Sequence, residues 1–524
     1  MTPARHDRFF RTDSVRADLR GHSVRSGFIA IGARVAQALL QMVGVVVLAR
    51  ILTPADFGII AYVVPLAILV TVIANGALQS AVIHRAELDQ AQASRVFREA
   101  ALINLGLCTA LAAASPLIAR FYEEPRAAGV AIAWAAIIYC ASLAAVPEAL
   151  LKRQMRFGTV MGAHVVGLVI GTAGAIAAAL AGAQYWALLI QVAAPPPIRS
   201  AVVWIASGWR PSSGSKATPR SPGPLLDDGL TLQPADGVAA IRRYWAGLAG
   251  FTFVTWAGDQ LDRVLVGFTG SAATLGFYDG ARRWGWYPLT ELIISLNDVA
   301  VSSFSHAHGN DETYRGYVRK GLLPALALPL PLIAFVFVAA DDFILVLLGD
   351  QWLPAAPFLR LMCIAAFVGA PNRLTPWIYL SRGQTARQLR WALFQTVVTI
   401  GALLAGATAG PIGVAAAFTA VTCALAWPGV AYAVRESPLS VDDVVRIVAR
   451  PALASIAAAV VLQVVHRDLL PFTNAIVRTG SAAVLFAAMF VVMWIVLPGG
   501  RAATREAIDA LREMDPRPSR GARK

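Results

Sequence analysis

Arg34, Gln37 and Gln41 stand at i, i+3 and i+7 in a stretch that is otherwise apolar. On a helix they share one face. A charge at the bilayer centre costs about 2.5–3.5 kcal/mol on insertion scales, so it usually faces a cavity or a partner. A guanidinium offers a planar fork that matches phosphate oxygens. Arg34 is therefore a candidate phosphate contact, with Gln37 and Gln41 beside it. The competing reading is an ion pair between helices. Further along, Asp259, Asp262 and Arg263 cluster in a second apolar stretch. The simplest reading pairs Asp259 with Arg263 at i,i+4 and leaves Asp262 as a spare carboxylate. The sharper one gives Asp259 and Asp262 a role in proton or sodium coupling. Arg373, next to Asn372, is a second candidate for a cationic wall. Arg360 reads as a side chain snorkelling from a span end, and Glu148 as a structural partner of Lys152 at i+4.

Covalent chemistry has little to work with. Cys108, Cys140, Cys363 and Cys423 all lie inside apolar runs without metal-ligand spacing and read as small packing residues. The histidines form no HExxH pair and no GxxxxGK[ST] loop is present, so neither a zinc site nor a nucleotide site is expected. No cofactor is expected.

The elements that must hold these residues are membrane helices. Of 524 residues, 57% are hydrophobic and only 15% charged, with a mean hydropathy of +0.61. Soluble domains carry roughly 25% charge. The charges are crowded into patches between runs of roughly 20 apolar residues, the length that crosses a hydrocarbon core. Backbone groups in lipid must bond internally, and the alternation of a transmembrane β-strand is missing, so the runs predict helices. About fourteen spans fit, the first being retained rather than cleaved as a signal peptide. The fold class expected is all-α: a polytopic membrane protein.

Net charge is +14. In a soluble chain this would suggest nucleic acid. Here the basic residues flank the spans on alternate sides. The tails carry Arg5 to Arg25 and Arg501 to Lys524, and alternate loops add Arg95 and Arg98, Lys152 to Arg156, Arg315 to Lys320, and Arg446 and Arg450. The intervening loops hold few, such as Arg120 and Arg467. The positive-inside rule then puts both termini in the cytoplasm. The basic residues touch anionic lipid headgroups, and nucleic acid is not an expected partner.

Residues 209–241 form a Pro-, Ser- and Gly-rich interruption that reads as a cytoplasmic linker. The expected organisation is a basic tail at 1–26, a first lobe of six spans at 27–208, this linker, a second lobe at 242–435, two further spans at 436–497, and a basic tail at 498–524. A faint internal repeat crosses the linker. Residues 48–58 resemble 265–276, 150–157 resemble 380–387, and 182–188 resemble 410–416. Parallel repeats of this kind are a known transporter plan.

The segment ARILTPADFG reads physically as a well-made helix start, with Thr53 as cap, Pro54 in the first turn and Asp56 against the helix dipole. Together with NGALQSAVIHR at 75–85, VPEALLKRQMRF at 146–157, QLDRVLVGF at 260–268, ATLGFYDGARR at 273–283 and LLGDQWLPAAPFLRLM at 347–362, it resembles Wzx-type polysaccharide flippases. These belong to the MOP superfamily, alongside MATE transporters and peptidoglycan-precursor flippases. The resemblance covers about 27–435. It implies two six-helix lobes in pseudo-twofold arrangement plus two C-terminal helices, in a bacterial inner membrane. It also implies that a polyprenyl-pyrophosphate-linked glycan is moved outward for lipopolysaccharide or exopolysaccharide synthesis. On that reading Arg34, Gln37, Gln41, Arg263 and Arg373 meet the substrate, Asp259 and Asp262 couple an ion, and polysaccharide polymerase machinery is a further partner.

Two other classes compete. A MATE-like cation or drug antiporter would need an acidic cavity, whereas several of the candidates here are arginines. A membrane enzyme would need catalytic groups in substantial outer loops, and the outer loops are short.

Overall fold

The computed structural model describes residues 37–83, 90–154, 156–212, 237–306, 311–468 and 474–497. Arg34, both tails and 213–236 of the linker lie outside the described residues. Among the described residues every regular element is a helix.

The helices are α1 (Gln37–Ile51), α2 (Pro54–Ile83), α3 (Gln90–Ala113), α4 (Ser115–Phe121), α5 (Arg126–Ser142), α6 (Ala145–Arg153) and α7 (Phe157–Leu180). They continue with α8 (Tyr185–Ala193), α9 (Pro195–Ser207), α10 (Gly237–Thr269), α11 (Ala272–His306), α12 (Asp311–Ala327), α13 (Pro329–Val338) and α14 (Ala340–Leu347). After a short 3-10 turn at Asp350–Ala355 come α15 (Ala356–Arg373), α16 (Thr375–Ser381), α17 (Thr385–Ala407), α18 (Gly410–Val434), α19 (Val441–Asp468) and α20 (Ala475–Val496).

Several of these are two halves of one crossing. α8 and α9 form a single apolar stretch, Tyr185–Ser207, and α12 and α13 form Asp311–Val338. The breaks fall where Pro195 and Pro329 begin the second half. Proline lacks the N–H that would close the preceding turn, and its ring crowds the carbonyl four residues back. Pro65 and Pro324, by contrast, sit inside unbroken helices. Of the described helical stretches, 11 are long and apolar enough to cross a membrane. About fourteen were expected. α1 is described only from Gln37. α10 and α11, of 33 and 35 residues, are long enough but carry Asp259, Asp262, Arg263, Asp279, Arg282 and Arg283, which dilute their apolar runs.

The surface is that of a protein in lipid. Ile205 is 82% exposed, Leu180 73% and Val484 72%. In water such apolar exposure would drive association; facing acyl chains it has no cost. Helices meet through small residues instead. A methyl group on Gly167 or Gly171 of α7 would lie 2.7 Å from Pro195 at the α8–α9 break, and one on Gly406 would lie 2.5 Å from the carbonyl of Gly413. These contacts let backbones approach closely where hydrophobic driving force is weak.

The described residues divide into two compact units. The first runs to Gly280 and takes in Leu348–Pro354 and Ala392–Phe418; the second holds Ala281–Leu347, Ala355–Trp391 and the rest from Thr419. The first part of the linker is anchored within the first unit. Trp209 is fully buried, its indole donating to Gln90 Oε1 at 2.7 Å, and Ser212 N donates to Ser94 Oγ at 3.0 Å. Residues 237–241, assigned to the linker from composition, are the first turn of α10.

Candidate functional site

In the first unit, the α1–α2 hairpin has the cap that its sequence predicts. Thr53 N and Oγ1 donate to Asp56 Oδ2 at 3.0 and 2.7 Å, and Asp56 N points back to Thr53 Oγ1 at 3.4 Å. This satisfies donors at the start of α2 that nothing in lipid could satisfy. The cap sets where α2 begins, directly after α1, on which Gln37 and Gln41 share one face.

That face is polar. Gln37 is half-buried, and its Nε2 has no hydrogen-bond partner. Gln41 is exposed one turn on. At Gly44 the missing side chain leaves room for two others: an added methyl would lie 2.6 Å from Gln191 Nε2 and 2.7 Å from Thr172 Cγ2. Gln191 of α8 and Thr172 of α7 are both buried. Gln191 Nε2 and Thr172 Oγ1 also lack partners. Buried donors left unmade cost about 1–3 kcal/mol each. A cluster of them in an apolar unit is a place where a polar ligand or water is stabilised.

The second feature is the α10–α11 hairpin. Ser271 Oγ caps α11 by accepting from Thr274 N at 3.2 Å, and the chain then folds back so that side chains of α10 and α11 meet at two places. Asp262 has no exposed surface, and Tyr278 OH donates to its Oδ2 at 2.5 Å. One position on, Arg263 Nε donates to Asp279 Oδ1 at 2.7 Å and Nη1 to Gln260 Oε1 at 2.6 Å. Asp259 lies exposed on the same helix. The pairing thus runs both across the hairpin and along α10: Arg263 is held by Asp279 of α11 and by Gln260 of its own helix.

A third cluster joins α6, α7 and α9. Glu148, buried in the first turn of α6, meets Lys152 Nζ at 2.8 Å and Arg199 Nη1 at 3.4 Å. Arg199 also contacts His164 Nε2. The expected Glu148–Lys152 pair is present, and Arg199 and His164 enlarge it.

In the second unit, the Arg373 guanidinium lies over the Trp286 ring, 4.6 Å from its centroid. That cation–π contact helps to stabilise a half-buried charge. Asn372 packs against Gly429 of α18, where its Oδ1 has no hydrogen-bond partner. Arg360 pairs with Asp341 at 2.5 Å, and Arg478 Nε donates to Asp342 Oδ2 at 2.8 Å, tying α20 to α14.

Outside the spans the electrostatics are ordinary. Glu124, in the turn between α4 and α5, accepts from Arg126 Nε and Nη2 at 2.8 and 2.9 Å. These bonds hold its carboxyl below the usual range.

A sequence profile described as a polysaccharide biosynthesis protein matches residues 47–220 and 234–357, more than half of the chain. The chain belongs to the polysaccharide biosynthesis protein family. Two relatives align along most of this polysaccharide biosynthesis protein. The succinoglycan biosynthesis transport protein ExoT of Rhizobium meliloti (strain 1021) is 23% identical over 481 residues, 91% of this chain and 93% of its own. The lipopolysaccharide biosynthesis protein WzxC of Escherichia coli (strain K12) is 20% identical over 390 residues, covering 73% and 75%. Among solved structures, the lipid II flippase MurJ in an inward closed conformation superposes with a TM-score of 0.66 at 14% identity, covering 89% of this chain and 98% of that one. An inward-facing multidrug resistance MATE family transporter of the MOP superfamily gives 0.56 at 14% identity over 79% and 98%. These two likenesses establish the fold: the all-helical architecture of those two structures.

For this family member the sequence singled out Asp262 and Arg263 but not their partners. Tyr278 and Asp279 stand just past the Gly270-Ser271 turn, at the same distance after it as Asp262 and Arg263 stand before it. Folding the two runs back as a hairpin brings the two pairs together, but reflection about the turn would match Asp262 with Asp279 and Arg263 with Tyr278, one position away from the bonds that form. Thr172 and Gln191 carry no such signal, because each is one polar residue in an apolar span.

Proposed function

We propose that this protein moves lipid-linked glycan repeat units, carried on polyprenyl pyrophosphate, across a bacterial inner membrane for exopolysaccharide or lipopolysaccharide synthesis. The observation that carries the proposal is the near end-to-end similarity to ExoT, whose name describes transport in succinoglycan biosynthesis. WzxC and the fold shared with the MurJ flippase point the same way. Each of these relatives handles transport or biosynthesis of a glycan, which favours a transporter over a catalytic enzyme.

The physical need is plain. Sugar hydroxyls and pyrophosphate cannot cross hydrocarbon without hydrogen-bond partners. The polar face of α1, with Gln37, Gln41 and the buried Gln191 and Thr172 beside Gly44, supplies groups suited to hydroxyl and phosphate oxygens. Arg34, three residues before Gln37 in the sequence, is the proposed pyrophosphate contact, with Arg263 and Arg373 as further cationic groups. Asp259 and Asp262 are the proposed coupling carboxylates; one charge crossing 100 mV contributes about 2.3 kcal/mol. The proposed cycle is alternating access between the repeats at 27–208 and 242–435, with both termini in the cytoplasm and a polymerase receiving the product.

Deleting the gene in its host tests this. Lipid-linked glycan should accumulate on the cytoplasmic leaflet while sensitivity to cationic drugs is unchanged. Raised drug sensitivity with normal glycan export would overturn the proposal in favour of an antiporter.

A further inference from the structure

In the second unit, α12 and α19 enclose a cleft of about 600 Å³ that none of the candidate residues lines. Arg315 and Arg319 face it from α12, and Arg446 and Arg450 from α19. Among the described lining residues Asp443 is the one carboxylate against four arginines, and it caps its own helix, accepting from Ser440 N at 2.9 Å and Ser440 Oγ at 2.8 Å. The lining is therefore strongly cationic.

The cleft is also graded. Besides Gly316 on α12, Asp443, Ile447 and Ala449 on α19, and Leu439 just before α19, the lining runs Arg315, Arg319, Leu323 on the first helix and Arg446, Arg450, Leu453 on the second. Steps of three and four keep each set on one helix face. At a rise of about 1.5 Å per residue, both faces pass from guanidinium to leucine within roughly 10–12 Å. Leu497, just past α20, adds a third apolar wall. Arg315, Arg319 and Arg446 are exposed, and Leu453 is 53% exposed.

A soluble anion would use the arginines and have no use for the leucines. A purely apolar partner would match the leucines and not the guanidinium end of the cleft. The grading matches an amphiphile with a phosphate head and a hydrocarbon tail. We infer that this cleft binds an anionic phospholipid of the surrounding bilayer, its phosphodiester among Arg315, Arg319, Arg446 and Arg450 and one acyl chain along Leu323, Leu453 and Leu497. The inference does not depend on the flippase reading.

The test uses the full chain in nanodiscs and native mass spectrometry, with phosphatidylglycerol as the probe. Phosphatidylcholine is the zwitterionic control. Wild-type protein should retain phosphatidylglycerol and melt at a higher temperature in phosphatidylglycerol discs. R446Q/R450Q should weaken that binding about thirtyfold, given the typical worth of each basic residue at an anionic surface. Its melting temperature in phosphatidylcholine should match wild type, which separates lost binding from failed folding. R390Q, which removes an arginine outside the cleft, should bind as wild type does. Equal phosphatidylglycerol binding by R446Q/R450Q and wild type would overturn the inference. So would displacement of the lipid by millimolar inorganic pyrophosphate, which would mark a soluble-anion site. Displacement by polyprenyl pyrophosphate at concentrations far below those of phosphatidylglycerol would also overturn it, and would assign the cleft to the transported lipid.

Discussion

Gly58 and Gly276 pack against the starts of each other's helices. A methyl group on Gly58 would lie 1.7 Å from the carbonyl oxygen of Ala272, and one on Gly276 would lie 2.0 Å from the carbonyl oxygen of Pro54. Each glycine thus meets the residue four before the other. The contact is reciprocal, as a twofold relation requires. It joins the two stretches, 48–58 and 265–276, that resemble each other in sequence. Gly58→Ala or Gly276→Ala should therefore destabilise the protein strongly, by about 1–3 kcal/mol or more, because backbone and not a flexible side chain must move. Thermal melting of purified protein checks this, with Gly316→Ala, where an added methyl meets nothing within 4 Å, as the control.

Tyr278→Phe should cost about 1–3 kcal/mol, since it removes a donor from a carboxylate that has no access to water. Asp262→Asn in the same background should recover part of the loss by removing the charge. A Tyr278→Phe protein with wild-type melting behaviour would show that the short bond to Asp262 contributes nothing.

Arg263 and Asp279 are both largely buried, with side chains 15% and 12% exposed. Removing either partner should cost about 3–5 kcal/mol, because a largely buried charge pair is broken. A double-mutant cycle with Arg263→Gln and Asp279→Asn should show clear non-additivity. Simple addition of the two single effects would mean that the pair is not coupled.

The glycines of α7 should differ by position. Gly171→Val should abolish stable expression in the membrane, because the methyl groups would collide with the Pro195 ring. Gly162→Ala should be neutral, since nothing lies within 4 Å of it. Membrane-fraction yield by size-exclusion chromatography separates the two.

The sequence disclosed the membrane helices, the helix start at Thr53 to Asp56 and the Glu148–Lys152 pair, because each rests on short-range physics: apolar length, capping geometry and i,i+4 spacing. Gly167 and Gly171 matter because Pro195 breaks the facing helix against them, a long-range fact. The network at Asp262 and Arg263 was half legible. Charge in an apolar run is visible in one dimension, but Tyr278 and Asp279 become partners only when the hairpin folds back. Gln191 and Thr172 were not legible at all, since a lone polar residue in an apolar span acquires meaning only from what stands opposite. The linker boundary moved for a simpler reason: composition cannot say where a helix resumes, and α10 starts at Gly237.

The most direct measurement is leaflet exchange in proteoliposomes. Purified protein is reconstituted with a fluorescent polyprenyl-pyrophosphate-linked glycan, and access of an impermeant quencher to the inner-leaflet label is followed with time. The account predicts translocation that depends on the protein and slows at least tenfold with Arg34→Ala or Gln191→Leu, an order-of-magnitude expectation for losing one hydrogen-bonding contact to the headgroup. Label movement no faster than in protein-free vesicles, with glycan of the host's own type and an imposed ion gradient, would contradict it.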